Sequence, residues 1–138
     1  MTHTSDGSVW TYEDFRPGET HGSVELKLND ARLALWKEVY GDDSGIDQTG
    51  RVPRGLLVAG MMETYLRVVA PRPPGNIHAS QKLTLGSGSL KVGDTVTATV
   101  TCLDKVRRKD RGWVTIGVVM NSNDQEFLRG EIRTVWAR

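Results

Sequence analysis

One segment narrows the possible folds of this chain more than any other: the run from Val52 to Ala70, almost wholly apolar and closed by proline at both ends. Pro53 suits the first turn of a helix, where a missing N–H leaves nothing unsatisfied. Pro71 and Pro73 end it, because neither can continue the hydrogen-bond ladder. The spacing predicts one long helix over 54–70. Its polar residues Glu63, Thr64 and Arg67 fall close together, and Glu63 and Arg67, at i and i+4, can pair on one face. The other sides are apolar, so the helix is expected to be buried. Gly55, Ala59 and Gly60 are small enough to let neighbouring backbone approach. Such a helix, in a chain otherwise rich in strand patterns, predicts a sheet curled round it.

The flanking segments supply that sheet. Val24–Leu28 alternates apolar and polar, the pattern of a half-buried strand. Asn29 or Asp30 caps a short helix over 31–40, with Leu33, Trp36 and Val39 or Tyr40 on its apolar face. Gly41–Arg51 is a polar, glycine-punctuated loop that runs straight into the long helix, and loops held between rigid elements are where sites usually lie. From Asn76 onward the chain reads as strands only. The first covers 78–85 and bends at Gly86–Ser89. After a turn at Val92–Asp94, Thr95–Leu103 alternates and is rich in β-branched residues. Lys105–Gly112 reads as a basic hairpin tip, followed by a strand at 113–120, a turn at 121–124 and a last strand at 126–137. Residues 1–10 read as a flexible tail and 11–138 as a single α+β domain, with helices segregated from an antiparallel sheet of five or six strands.

Composition excludes several classes of function. The 138 residues suffice for one real core. A net charge of +1 with 25% charged residues gives no electrostatic case for nucleic acid or a membrane surface. Cys102 is the single cysteine, so no internal disulfide and no cysteine-based metal site are expected. No apolar run is long enough to span a bilayer, and the first residues lack the basic and apolar regions of a signal peptide. A cytoplasmic protein is expected.

Three stretches carry a resemblance to a known family. Tyr12–Glu19, with its Pro17-Gly18 turn, is similar to that family's opening strand. Gly41-Asp42-Asp43-Ser44-Gly45-Ile46-Asp47 sits where the family has a hydratase signature of the form Gly-Asp-x-Asn-Pro-x-His. Leu90–Thr95 is similar to its turn into the sheet. Together, over 11–137, they resemble the MaoC-like acyl dehydratase and (R)-specific enoyl-CoA hydratase family. The resemblance implies a hot-dog fold, an antiparallel β-sheet wrapped around a long central helix. It also implies edge-to-edge pairing into a homodimer or higher oligomer, with narrow apolar clefts at the interface. The substrate would be an acyl-CoA or acyl-carrier thioester, with no cofactor. In the family an aspartate and a histidine position the water that adds to a 2-enoyl thioester. A backbone N–H at the start of the central helix polarises the thioester carbonyl. Such chemistry needs two acid/base groups on one face and a donor that requires no reorganisation. Asp42 matches the family aspartate. Asp47 stands at the histidine position, and Arg54 where the family usually has another histidine. Gly55, with Leu56 beside it, takes the carbonyl-polarising place. The segment from Asp47 to Arg54 is shorter than the family's.

Each candidate has a functional and a plain reading. Asp42 and Asp47 form a carboxylate pair that shares a proton, or they cap turns and face water. Arg54 opposes the helix dipole at its N-terminus. It binds an acidic partner, whether a loop aspartate or the phosphate or carboxylate of a ligand, or it is simply solvated. Glu63 lies on the helix where some hot-dog thioesterases carry a catalytic carboxylate, or it only pairs with Arg67. His3, His21 and His78 read as surface residues and Cys102 as core. The basic tip at Arg107, Arg108, Lys109 and Arg111 is a solvated turn or an attractor of coenzyme A phosphates. Three functions follow: an acyl-thioester hydratase or dehydratase, a non-catalytic acyl-CoA-binding or partner subunit, and a thioesterase using Glu63.

Overall fold

The strands form because their apolar residues recur with period two. In a computed structural model, which describes residues 7–138, Val96, Ala98, Val100 and Cys102 of β3 (Thr95–Arg108) all point to the same inner face and are fully buried. Val114, Ile116, Val118 and Met120 do the same on β4 (Arg111–Ser122). Leu128 and Ile132 continue that face on β5 (Gln125–Trp136). β1 (Thr20–Lys27) and β2 (Ile77–Leu85) complete a five-stranded antiparallel sheet in the order β1-β3-β4-β5-β2. The expected strands are present, and several are longer than the alternation predicted. The basic segment is the clearest difference. Only Lys109 and Asp110 form the tip, both with positive φ (52° and 64°), the two-residue turn that matches strand twist. Lys105 and Arg107 are drawn back along β3 by the Tyr12 ring, which they cover at 4.6 and 4.3 Å.

Two helices precede β2. α1 spans Asp30–Tyr40, capped by the Asn29 side chain, which accepts from the Arg32 N–H at 3.0 Å. α2 spans Arg54–Val68 and lies on the inner face of the sheet, with Leu56, Leu57, Gly60, Met61, Thr64 and Tyr65 buried. Burial covers one side of α2, not the whole circumference. Ala59, Leu66 and Arg67 are exposed. Thr64 does not join the polar group at Glu63 and Arg67. It turns inward, and its hydroxyl donates to the Gly60 carbonyl at 2.8 Å.

Close approach of α2 to the sheet depends on two glycines. A Cβ on Gly60 would lie 3.0 Å from Leu26 Cδ1 and 3.3 Å from Met120 Cε. A Cβ on Gly130 would collide with the Met61 sulfur. An aromatic group seals one end of the core: Phe15 stands edge-on to Trp136 at 4.8 Å, and the Trp136 indole donates to the Trp10 carbonyl at 2.8 Å. His21 belongs to this group, edge-on to Trp10 at 5.1 Å and to Phe15 at 5.6 Å. It is a buried residue, not the surface one expected, because its position on β1 faces the ring cluster. His78 is exposed on β2, and His3 lies outside the described residues.

Gly130→Ala should lower stability by about 1–3 kcal/mol, the usual penalty for overpacking a dense core. Pairing it with Met61→Ala in a double-mutant cycle by urea denaturation should give a favourable coupling, since Met61 is the residue displaced. Additive effects would show that the two do not compete for the same space.

Candidate functional site

The start of α2 is the place where loop, short helix and long helix converge. Trp36 of α1 lays its ring over Gly55, so closely that a Cβ there would lie 3.0 Å from the ring edge. The Trp36 indole N–H donates to the Ser44 carbonyl at 2.8 Å. Ser44 is buried, and its hydroxyl accepts from the Ile46 N–H at 3.2 Å. Gly45, at φ 76°, sits against the Pro53 ring. Gly41–Asp47 is therefore stapled against the first turn of α2. The loop that carries Asp42 and Asp47 thus lies against the start of α2, where Arg54, Gly55 and Leu56 stand.

Their environments differ. Asp42 lies in a single 3-10 turn, Gly41–Asp43, and is exposed. Asp47 is exposed as well, and its carboxylate accepts from the Thr49 N–H at 2.9 Å and from the Thr49 hydroxyl at 2.5 Å. The Thr49 hydroxyl is the main reason its carboxyl stays below the usual aspartate range, with the Thr49 N–H and the nearby Arg51 charge assisting. The Gly55 backbone is exposed, while Leu56 is buried. Arg54 pairs with neither aspartate. It donates to the Gly86 carbonyl at a long 3.4 Å.

Two recesses flank this first turn. The larger, about 690 Å³, runs between α1, α2 and the β1 edge. Leu35, Trp36, Val39, Tyr40 and Leu56 give it apolar walls. Val39 and Tyr40, expected on the buried face of α1, are largely exposed; only Leu33 of this helix is fully buried, so the rest of the apolar face is left to line the cleft. The smaller recess, about 130 Å³, lies on the Arg54 side. Leu56 and Arg54 thus open onto different spaces.

Glu63 also borders the larger cleft. Its expected pairing with Arg67 exists at 3.3 Å, but the stronger partner is Arg32 of α1, which donates to both carboxylate oxygens at 2.8 and 3.3 Å. Arg32 holds the Glu63 carboxyl below the usual glutamate range. The Arg32 contact was invisible in the sequence, since it joins residues on separate helices; an arginine at the first turn of α1 was the only sign. Cys102 is fully buried, and burial pushes its thiol up to about 11, so it is inert packing. Among the described residues no group of His, Cys, Asp or Glu side chains is arranged to hold a metal ion, and no helix is long and apolar enough to cross a membrane.

No family model matches the chain, and no curated protein matches its sequence. Solved structures do match. The monoamine oxidase regulatory protein from Archaeoglobus superposes with a TM-score of 0.72 at 12% identity, over 93% of this chain and 94% of that one. The (R)-hydratase from A. caviae involved in PHA biosynthesis gives 0.68 at 19% identity, over 88% and 97%. A Streptococcus mutans protein solved bound to acetyl CoA gives 0.61 at 15% identity, over 89% and 84%. The chain has a hot-dog fold. The α+β expectation of a sheet around one central helix is met; the smaller recess lies at the N-terminal end of that helix, and the larger runs from Leu56 to Glu63 between it, α1 and β1.

The Arg32–Glu63 contact makes a pH-dependent prediction. Glu63 has a depressed folded pKa, so its contribution is fully present above the ordinary value of 4.5 and is lost as pH falls through the folded value. Glu63→Gln should be less stable than wild type at neutral pH by about 0.5–1 kcal/mol, allowing for solvent screening. The gap should narrow between neutral and acid pH, as the pH falls below 4.5 and through the lowered folded value. Urea denaturation at both pH values reads this, and a gap of constant size would dismiss the ion pair as its cause.

Proposed function

We propose that this chain is a MaoC-like acyl-thioester protein of the hydratase/dehydratase type, acting on a 2-enoyl-CoA or acyl-carrier thioester. The observation that carries this reading is the staple formed by Trp36, Ser44 and Gly45, which holds the 41–47 loop against the start of α2, where Trp36 covers the exposed Gly55 and, with Leu56, lines an apolar cleft. The similarity to an (R)-hydratase and to an acetyl-CoA-bound protein supports the substrate class.

In this reading the Gly55 N–H, at the positive end of α2, donates to the thioester oxygen as enolate charge develops. Asp47, kept ionised by Thr49, accepts a proton from water as the water oxygen bonds to C3. C2 then takes a proton relayed from solvent through the exposed Asp42, the proton taken by Asp47 returns to solvent, and the carbonyl re-forms. Leu56 and Trp36 contact the acyl thioester. Crotonyl-CoA hydration, followed by loss of enoyl absorbance, should fall at least 100-fold in Asp42→Asn and in Asp47→Asn, the scale of a lost general acid or base. Equal rates in wild type and Asp42→Asn would remove Asp42 from the mechanism.

A second reading is favoured by one observation: Asp47, at the family's histidine position, has its Oδ1 engaged twice by Thr49. The chain would then be a non-catalytic acyl-CoA-binding or partner subunit. Binding of crotonyl-CoA without turnover at any chain length would select it. The thioesterase reading needs a carboxylate oxygen of Glu63 free to act, and Arg32 engages both. Thiol release abolished by Glu63→Gln would restore it.

The partner in either case is a second copy joined along β2. Every residue of β2 is exposed, and Ile77, Leu83 and Leu85 are large apolar residues left in water. β2 bonds only to β5, so its outer edge offers a full row of unpaired backbone groups. Light scattering should give twice the 15.3 kDa chain mass for wild type and the single mass for Leu83→Glu/Leu85→Glu. A monomeric wild type would refute pairing along this edge.

A further inference from the structure

The two edges of the sheet are not alike. β1, at the edge opposite β2, bonds only to β3, so one side of its backbone has no partner strand. Leu28, just past β1, donates to the Asp94 carbonyl and accepts from the Gly93 N–H, both at 2.9 Å, so its backbone faces the β3 side. Alternation then turns Leu26 and Val24 the same way, and Ser23, Glu25 and Lys27 outward. The Lys27 carbonyl bears this out, since it accepts from the Arg32 Nε–H of α1 at 3.3 Å. Among the described residues no other hydrogen bond reaches the outward N–H and C=O groups of Ser23, Glu25 and Lys27.

This edge is one wall of a groove. Glu25 and Lys27 line the larger cleft, and so do Leu35, Val39 and Tyr40 of α1. Those three apolar side chains are 64%, 76% and 48% exposed. Leu35 and Val39 are four residues apart, about 6 Å along the helix axis. Alternate residues of a strand are about 6.8 Å apart. One face of an extended chain laid along β1 therefore has the spacing to meet both. The edge also carries uncommitted charge. Among the described residues the side chains of Glu25 and Lys27 make no ion pair. Charges on an edge strand normally keep stray strands away. Here the two are of opposite sign, so they choose between strands and do not repel every one.

We propose that the groove between β1 and α1 binds an extended segment of a partner protein, which adds to β1 as a sixth strand. Antiparallel addition is the more stable arrangement, and every pair in this sheet already uses it. The segment reads apolar-Asp-apolar-Lys-apolar. Its acid stands opposite Lys27, its base opposite Glu25, and its apolar residues turn in towards Leu35 and Val39. A second copy does not suit the gap, because its own β1 arrives with its own α1 in front of it. The proposal goes beyond the thioester reading and does not depend on it. It uses the β1 and outer α1 side of the cleft, whereas Leu56 and Glu63 stand on α2.

Fluorescence anisotropy of the full chain with a labelled peptide, Thr-Val-Asp-Val-Lys-Val-Thr, tests this. Wild type should bind it about 3- to 10-fold more tightly than the same peptide with Asp and Lys exchanged, the worth of two cross-strand charge pairs. Glu25→Lys/Lys27→Glu should invert that preference, and both residues are exposed, so the fold is not at stake. N-methylation of the peptide's Asp and Lys amides, which face β1, should abolish binding, while N-methylation of its central Val should not. Val39→Glu should weaken binding about tenfold or more by removing an apolar contact. No binding of either peptide at millimolar concentration, equal affinity for the two, a preference unmoved by the charge exchange, or indifference to Val39→Glu would each overturn the proposal. Light scattering in which Val39→Glu halves the mass of the wild-type particle would put a second copy in the groove and overturn it too.

Discussion

The contact between Met61 and the bare backbone of Gly130 governs how deeply α2 sits in the curve of the sheet. A helix normally stands off a sheet by the thickness of two layers of side chains. Here Gly130, and Gly60 against Leu26 and Met120, remove one layer at the point of contact. The result is a close-packed interior in which Met61, Ile116, Met120 and Ile132 are fully excluded from water. Because α2 is held along its length, its first turn is a rigid platform. The loop residues around it take their positions from that platform.

Trp36 does the second part of the positioning. Its ring needs a flat surface, and Gly55 supplies one by having no side chain. Its indole N–H then reaches the Ser44 carbonyl and ties down a loop that has little apolar content of its own. The same glycine therefore serves the packing of the ring and, through the ring, the hold on the loop. A side chain at position 55 would disturb both at once.

Charge is distributed unevenly about the two recesses. On one side Arg32, Glu63 and Arg67 form a closed network in which the carboxylate is saturated. This network joins α1 to α2, and Glu63 has no oxygen left over. On the other side Arg51 and Arg54 line the smaller recess with no acid among its lining residues, and Arg51 stands opposite Lys91.

The α+β class, the helix at 54–70 and the alternating strands were legible because each rests on local spacing. Proline brackets and period-two burial need no knowledge of the partner surface. The i,i+4 pairing of Glu63 with Arg67 was readable for the same reason. The hairpin turns were less so: Lys109-Asp110 and Asn123-Asp124 both adopt positive φ, and residues other than glycine do not advertise that conformation. His21 was misread because the rings around it, Trp10 and Phe15, are held in place by Trp136 from the far end of the chain. Arg32 on Glu63, Trp36 on Gly55, and Arg51 opposite Lys91 share that character. Local periodicity thus sufficed for the elements and for which side of each is apolar. Which side chains meet across elements, and so which carboxylate is saturated and which arginines are left unmatched, came from packing in three dimensions, because charge balance is a property of neighbours in space and not of neighbours along the chain.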